Sequence, residues 1–148
     1  MTLHEYRFRN SWLLAAPADQ VYQAVVDVAG YARWWPDVRT VLRIDDDTAE
    51  LVCRATLPYR VVVRMRRLEE DPVSGRLRVR LTGDLEGSLG SKVLPLDGGT
   101  RLEITQDVVA RKRLLRWLAP VGRPLFRLNH AAMMGRGERG LRAHLAPG

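Results

Sequence analysis

A long series of alternating apolar and polar residues is the strongest constraint on the fold. Between Val38 and Val108 the sequence predicts six strands, four of which alternate with a period of two, and turn residues such as Asp45-Asp46-Asp47 and Asp97-Gly98-Gly99 separate them at short intervals. This period is typical of half-buried strands, and the close turns favour antiparallel neighbours. Arginine fills many of the polar positions, for example Arg76, Arg78 and Arg80. We therefore expect an antiparallel sheet with one face in solvent.

The segment before this meander predicts one more strand and two short helices. Tyr6, Phe8, Asn10, Trp12 and Leu14 occupy alternate positions of the first strand. Pro17 then precedes an apolar helical pattern that ends near Gly30, as expected for proline at a helix start and glycine at its end. A short aromatic segment, 31–35, follows, and Pro36 stops any helix there.

The C-terminal part predicts helices. Pro120, Gly122 and Pro124 divide it into a short piece, Lys112–Leu118, and a long helix from about Pro124 to Leu145. On a helical wheel the long helix has an apolar face that includes Phe126, His130, Met133, Met134 and Gly137. A sheet with helices on one face is an α+β domain, and we expect residues 1–148 to form a single one.

Composition excludes several classes of protein. The chain has 148 residues, enough to build a core without disulfides. Its one cysteine, Cys53, excludes an internal disulfide and multi-cysteine metal sites, and its mid-strand position predicts an inert buried thiol. No Ser-His-Asp order, phosphate-binding glycine loop or zinc signature is present, so we expect no metal and no cofactor. An N-terminus without an apolar signal region and the lack of a 20-residue apolar stretch predict a cytoplasmic protein.

The net charge of +7 is concentrated at the C-terminal end, where residues 111–148 carry nine basic residues and one acidic residue. Such a patch is compatible with nucleic acid or an anionic membrane surface as partner. No nucleic-acid-binding motif accompanies it, and 22 of the 24 basic residues are arginine throughout the chain. We therefore interpret the patch as a solvated helix surface on which Arg136, Arg139 and Arg142 lie opposite the apolar face.

Three stretches of the sequence resemble one known family. They are 12–22 (WLLAAPADQVY), 31–38 (YARWWPDV) and 98–102 (GGTRL). Together with the order of elements, they resemble the polyketide cyclase/dehydrase and lipid-transport group of the START-like, birch-pollen-allergen-like (SRPBCC) superfamily. The resemblance covers essentially the whole chain. It implies the helix-grip fold, a curved seven-stranded sheet wrapped around a long C-terminal helix, with an apolar cavity between them.

Three polar residues interrupt faces that the patterns place inward. They are Asn10 on the first strand, Gln106 on the last strand and His130 on the long helix. The resemblance makes the two strands neighbours, so both amides are candidates for orienting a ligand in the cavity. His130 is a weak candidate for an acid or base. The alternative for each is a structural residue whose polar atoms are satisfied within the core.

The remaining candidates for the cavity are apolar or small. They are Trp12, Trp34, Trp35, Tyr59, Phe126, Met133, Met134 and Gly137. The resemblance places Trp34 and Trp35 near the cavity mouth, where they form either a ligand-contacting lid or a seal over the core. Gly137 leaves space that a larger residue would fill, which favours a cavity, although close approach of the helix to the sheet would also require glycine.

Three classes of function remain open. The first is the binding or transport of a hydrophobic small molecule, either lipid-like or polyketide-like. The second is a cyclase, aromatase or dehydratase that folds a reactive chain in the same cavity. The third is an interaction module that uses the basic C-terminal patch. The sequence leaves the ligand, the occurrence of a reaction and the oligomeric state undecided.

Overall fold

The computed structural model describes residues 5–54, 60–110 and 119–146. Seven strands are present in this part of the chain: β1 (Glu5–Leu14), β2 (Val38–Asp45), β3 (Thr48–Arg54), β4 (Arg60–Asp71), β5 (Arg76–Gly83), β6 (Leu85–Leu96) and β7 (Gly99–Ala110). The helices are α1 (Ala18–Val26), a 3-10 turn (Val28–Gly30), α2 (Tyr31–Trp34) and α3 (Ala119–Leu145).

The seven strands form one antiparallel sheet in the order β1-β7-β6-β5-β4-β3-β2. Strands β2 to β7 are a meander, so each pairs with its neighbour in sequence. Strand β1 pairs instead with β7, from Glu5 opposite Val109 to Leu14 opposite Thr100. The strands that are first and last in the sequence are therefore adjacent in the sheet, and α1 and α2 connect β1 to β2 at the opposite edge.

Alternation along the strands separates a buried face from a solvent face. In β5, Leu77, Val79 and Leu81 are buried, whereas the arginines between them are exposed. The buried face packs against α1, α2 and α3, and it supplies most of the hydrophobic core. Because only one side of each strand is apolar, the sheet buries that side on the helices and leaves the other side in solvent.

Helix α3 lies very close to α2 through two glycines. A Cβ atom at Gly140 would lie 1.7 Å from the carbonyl oxygen of Trp34, and one at Gly137 would lie 2.6 Å from Cε2 of Trp35. Neither distance is possible for a real side chain, so only glycine permits this contact. In contrast, a Cβ atom at Gly135 would meet only the end of the Arg139 side chain, at 3.5 Å.

The predicted α+β helix-grip architecture is confirmed, including the long C-terminal helix and the two short helices after β1. One boundary prediction is wrong, because α3 begins at Ala119 and includes Pro124. Pro124 is the sixth residue of this helix, beyond the four N–H groups that need no intrahelical partner, so the helix continues through it with one backbone hydrogen bond lost. The short helix predicted over Lys112–Leu118 lies outside the described residues.

The two glycine environments predict opposite effects of the same substitution. Gly140→Ala should destabilise the protein by about 2 kcal/mol or more, because the helix must move away from Trp34. Gly135→Ala should be neutral or stabilise by up to about 1 kcal/mol through helix propensity. Urea unfolding of both variants measures the difference. Equal stability of the two variants would contradict the close contact.

Candidate binding cavity

A cavity of about 140 Å³ lies between the buried face of the sheet and the helices. Strands β3 to β7 form its floor, and α2 and α3 form its other walls. Most lining side chains are aliphatic or sulfur-containing, and those of the sheet include Leu51, Val63, Met65, Leu81, Leu85, Leu89 and Ile104. Among the described residues none of the lining side chains is Asp, Glu, Lys or Arg.

Few polar side chains line the cavity, and two of them contact each other. Nε2 of His130 lies 2.5 Å from Oε1 of Gln106, within hydrogen-bond distance. The His130 ring also stacks on Phe8, with 3.6 Å between ring centroids and 11° between planes. His130 is buried, and burial lowers its pKa to about 4. The ring is therefore neutral near pH 7, and its Nε2–H donates to the Gln106 oxygen.

Three tryptophans form the wall of the cavity at α2. Trp34 and Trp35 stack on each other, and Trp12 of β1 meets both rings edge to face. The indole Nε1–H of Trp35 donates to the backbone oxygen of Met133 at 3.0 Å. These contacts, with the glycines of α3, hold Trp34 and Trp35 against the helix. Trp12, Trp34 and Trp35 thus line the cavity as part of the packed structure.

Cys53 and Ser91 are the small polar residues of the sheet that line the cavity. Burial raises the pKa of the Cys53 thiol to about 12, so it stays protonated and unreactive as a nucleophile. Ser91 is only 8% exposed, and within the described structure its Oγ has no hydrogen-bond partner. An unpaired buried hydroxyl costs about 1–3 kcal/mol, so Ser91 is an unusual residue for a wall with a purely structural role.

Sequence reasoning missed Ser91, although a signal for it existed. The residue stands between Leu89 and Val93 on alternate positions of β6, which all face inward. Asn10 and Gln106 are apparent in the sequence because each interrupts a regular apolar series. In β6 the glycines and Pro95 obscure the alternation, so the inward position of Ser91 was not apparent.

The structure brings most of the predicted cavity residues together. The lining includes Trp12, Trp34, Trp35, Gln106, Phe126, His130, Met133 and Met134. Tyr59 lies outside the described residues. Asn10 and Gly137 are not part of the lining.

Both departures have a physical reason. Asn10 is half-buried on β1, an edge strand of the sheet. The cavity lies mainly over the inner strands, and from β1 only the large Trp12 side chain reaches it. Gly137 faces Trp35 and Trp12 at contact distance. Its missing side chain therefore permits close packing and does not provide cavity volume, so the expectation that a larger residue there would simply fill the cavity is wrong.

The arginines of α3 divide into two groups. Arg136 makes two hydrogen bonds of 2.7 Å to the carboxylate of Asp37, which is 2% exposed. Arg139 is exposed, and Arg142 is exposed and contacts Glu138 and the backbone oxygen of Leu13. Arg136 is thus a structural partner of the residue before β2, and the prediction of three solvated arginines is correct only for the other two.

The described residues contain neither a cluster of metal ligands nor a helix that could span a membrane. No group of three or more His, Cys, Asp or Glu side chains is placed to hold a metal ion. None of the described helices is both long enough and apolar enough to cross a membrane.

The sequence of this chain matches the model of one protein family. The family model described as "Polyketide cyclase / dehydrase and lipid transport" matches residues 6–145. The chain belongs to this family. No curated protein sequence matches the chain significantly.

Solved structures share the fold of this family member. The Zhui aromatase/cyclase from Streptomyces sp. R1128 has 20% identity and a TM-score of 0.78, with 96% of this chain and 94% of that chain covered. A START superfamily protein from Mycobacterium smegmatis has 15% identity and a TM-score of 0.75, with 94% and 96% covered. The di-domain ARO/CYC protein StfQ of the steffimycin biosynthetic pathway has 14% identity and a TM-score of 0.74, with 97% and 51% covered. At these identities the likeness shows the fold.

The lowered pKa of His130 predicts a defined pH dependence of stability. The folded protein takes up this proton near pH 4, whereas the unfolded chain takes it up near pH 6.5. Between these values the unfolded state binds more protons, so stability falls as the pH is lowered from 6.5 to 4, by about 2–3 kcal/mol in total.

His130→Gln should remove this part of the pH dependence, and His144→Gln, at an exposed position of the same helix, should retain it. Urea unfolding at pH 7 and pH 4.5 measures the effect. Identical pH dependence of the wild type and His130→Gln would show that the imidazole is not buried as described.

The ion pair between Asp37 and Arg136 predicts a second effect on stability. Asp37→Asn should cost about 1–3 kcal/mol, because Arg136 loses its charged partner in a half-buried environment. Asp46→Asn should change stability by less than about 0.5 kcal/mol, since the Arg43–Asp46 pair is fully at the surface. Thermal unfolding of the two variants makes the comparison, and a similar loss in both would contradict a structural role for Asp37.

Proposed function

We propose that this protein binds a hydrophobic small molecule, lipid-like or polyketide-like, in the cavity between the sheet and α3. The observation that carries the proposal is an apolar space of about 140 Å³ whose described walls contain no charged side chain. An empty space of this volume costs a folded protein about 3 kcal/mol, because its lining atoms lose their packing partners. A ligand of matching size would restore those contacts.

The polar side chains of the cavity are suited to orienting a ligand. Binding sites for small molecules combine apolar walls with a small number of fixed polar groups. Here Gln106 is held by His130, and His130 is held by stacking on Phe8. Both polar groups are therefore fixed before any ligand arrives, which lowers the entropy cost of binding.

The state of His130 favours binding over acid–base catalysis. With a pKa of about 4 the ring carries no proton to give as an imidazolium near pH 7, and its free nitrogen is a weak base. Its Nε2–H is already engaged with Gln106. Cys53 adds no nucleophile, because its pKa is raised to about 12.

A polyketide cyclase, aromatase or dehydratase activity is the alternative. The fold shared with an aromatase/cyclase and with an ARO/CYC protein favours it. Such an enzyme gains much of its rate by holding a flexible chain in one geometry, which the walls of this cavity would provide. In that case His130 and Gln106 would position carbonyl groups of the chain by hydrogen bonding.

One pair of measurements separates the two functions. Native mass spectrometry gives the mass of any small molecule that remains bound through purification, and this mass directs the choice of substrate or ligand. His130→Gln is then assayed for both affinity and turnover. In a binding protein only the affinity changes. In a cyclase the rate of product formation falls by a larger factor than the affinity does.

Filling the cavity should weaken binding. Leu89→Trp places a larger side chain in the lining and should weaken the binding of 2-ethylnaphthalene at least tenfold, or about 1.4 kcal/mol. Leu42→Trp, at a residue 60% exposed on β2, is the matched control and should bind as the wild type does. Isothermal titration calorimetry measures both, with circular dichroism to verify folding and Leu89→Phe as a milder variant. Unchanged affinity in a folded Leu89→Trp protein would contradict binding in this cavity.

A further inference from the structure

Ser91 is a buried hydrogen-bonding group whose partner has to come from inside the cavity. Its neighbours across the two adjacent strands are Leu77 on β5 and Ile104 on β7, and both side chains are apolar. Ser91 is 8% exposed and lines the cavity. Its buried Oγ has no hydrogen-bond partner among the described residues. Its neighbours in the sheet offer no side chain that could satisfy it, so the remaining direction for a partner is the cavity.

Gln106 provides a second donor on the same wall. It lies two residues beyond Ile104 on β7, so it is the diagonal neighbour of Ser91 across the β6–β7 pair. Diagonal neighbours on one face of a sheet are about 7–8 Å apart, within reach of one small ligand. The Gln106 oxygen accepts from His130, which leaves the amide NH₂ group as the donor available to a ligand.

Among the described residues, the lining of the cavity offers no cation to balance a negative charge. The lining contains no Lys or Arg among the described residues, and His130 is neutral near pH 7. Arg136, on the same helix, is bound to Asp37 and is not part of the lining. A carboxylate that entered the cavity would lose its hydration without gaining an opposite charge, which is strongly unfavourable.

From these contacts we infer that Ser91 and Gln106 form a pair of hydrogen-bond donors that selects a neutral ligand oxygen, such as a ketone or ester carbonyl, on an apolar body. The same pair discriminates against a plain hydrocarbon, which leaves Ser91 unpaired, and against a carboxylic acid, which is ionised. This inference rests on the proposed ligand-binding function and adds to it the chemical class of the ligand.

Three probes of nearly equal size isolate the oxygen chemistry. They are 2-acetylnaphthalene, 2-ethylnaphthalene and 2-naphthoate, which carry a ketone, a hydrocarbon chain and a carboxylate on the same two rings. Calorimetric titration at pH 7.5 should show the ketone binding about three- to tenfold more tightly than the hydrocarbon. The carboxylate should bind at least about tenfold more weakly than the ketone.

Ser91→Ala identifies the residue responsible, and Ser88→Ala is its matched control. Ser88 lies on the same strand but is not part of the cavity lining. Ser91→Ala should lower the ketone-to-hydrocarbon affinity ratio at least about threefold while hydrocarbon affinity stays within about twofold. It should also raise the melting temperature of the ligand-free protein by about 2–5 °C, because an unpaired buried hydroxyl is removed. Ser88→Ala should change neither.

The outcomes separate the two levels of the argument. Binding of the neutral probes with no preference for the ketone, or a preference that survives in Ser91→Ala, overturns the donor pair and leaves ligand binding intact. Binding of 2-naphthoate as tight as that of the ketone also overturns it. Absence of binding by all three probes overturns the proposed function, and the inference with it.

Discussion

The pairing of β1 with β7 is the interaction on which the candidate site depends. It joins the beginning of the chain to the last strand of the meander, and it places Phe8 directly opposite Gln106. Helix α3 then sets His130 against both residues, stacked on the first and hydrogen-bonded to the second. These three side chains come from distant parts of the sequence: the register of β1 with β7 sets Phe8 beside Gln106, and the packing of α3 adds His130. A shift of that register by one residue would turn Phe8 and Gln106 to opposite faces.

The cavity survives because its surroundings are fixed at both ends of α3. Toward the C-terminal end, Gly140 and Gly137 allow the helix to contact α2, and Arg136 binds Asp37. Toward the other end, Phe126 packs on the aromatic residues of β1. With the helix held at both ends, its middle turns cannot move toward the sheet to fill the space. This is a physical reason why an apolar volume that costs packing energy persists.

The fold was predictable from sequence because it depends on periodic patterns. The alternation in β5 and the turn residues between strands require only neighbouring residues to be interpreted. The site was predictable in part. Gln106 and His130 interrupt simple patterns, but nothing in the sequence reports that Gly137 faces Trp35 or that Arg136 reaches Asp37, since both depend on how α3 is placed on the sheet. Packing between elements distant in sequence is the information that patterns lack.

The uneven attachment of α3 has a consequence for how the molecule deforms. Its close backbone contact and its charged pair lie at residues 136–142, where a small displacement costs a steric clash or two directed hydrogen bonds. At Phe126 the described contacts are between aromatic rings, which tolerate sliding far better than hydrogen bonds do. Of the two attachments that hold α3, the one at residues 136–142 is therefore the firmer, and the one at Phe126 yields at the lower cost. Displacement of α3 at the Phe126 end would therefore be the less costly way to admit a solute to the cavity.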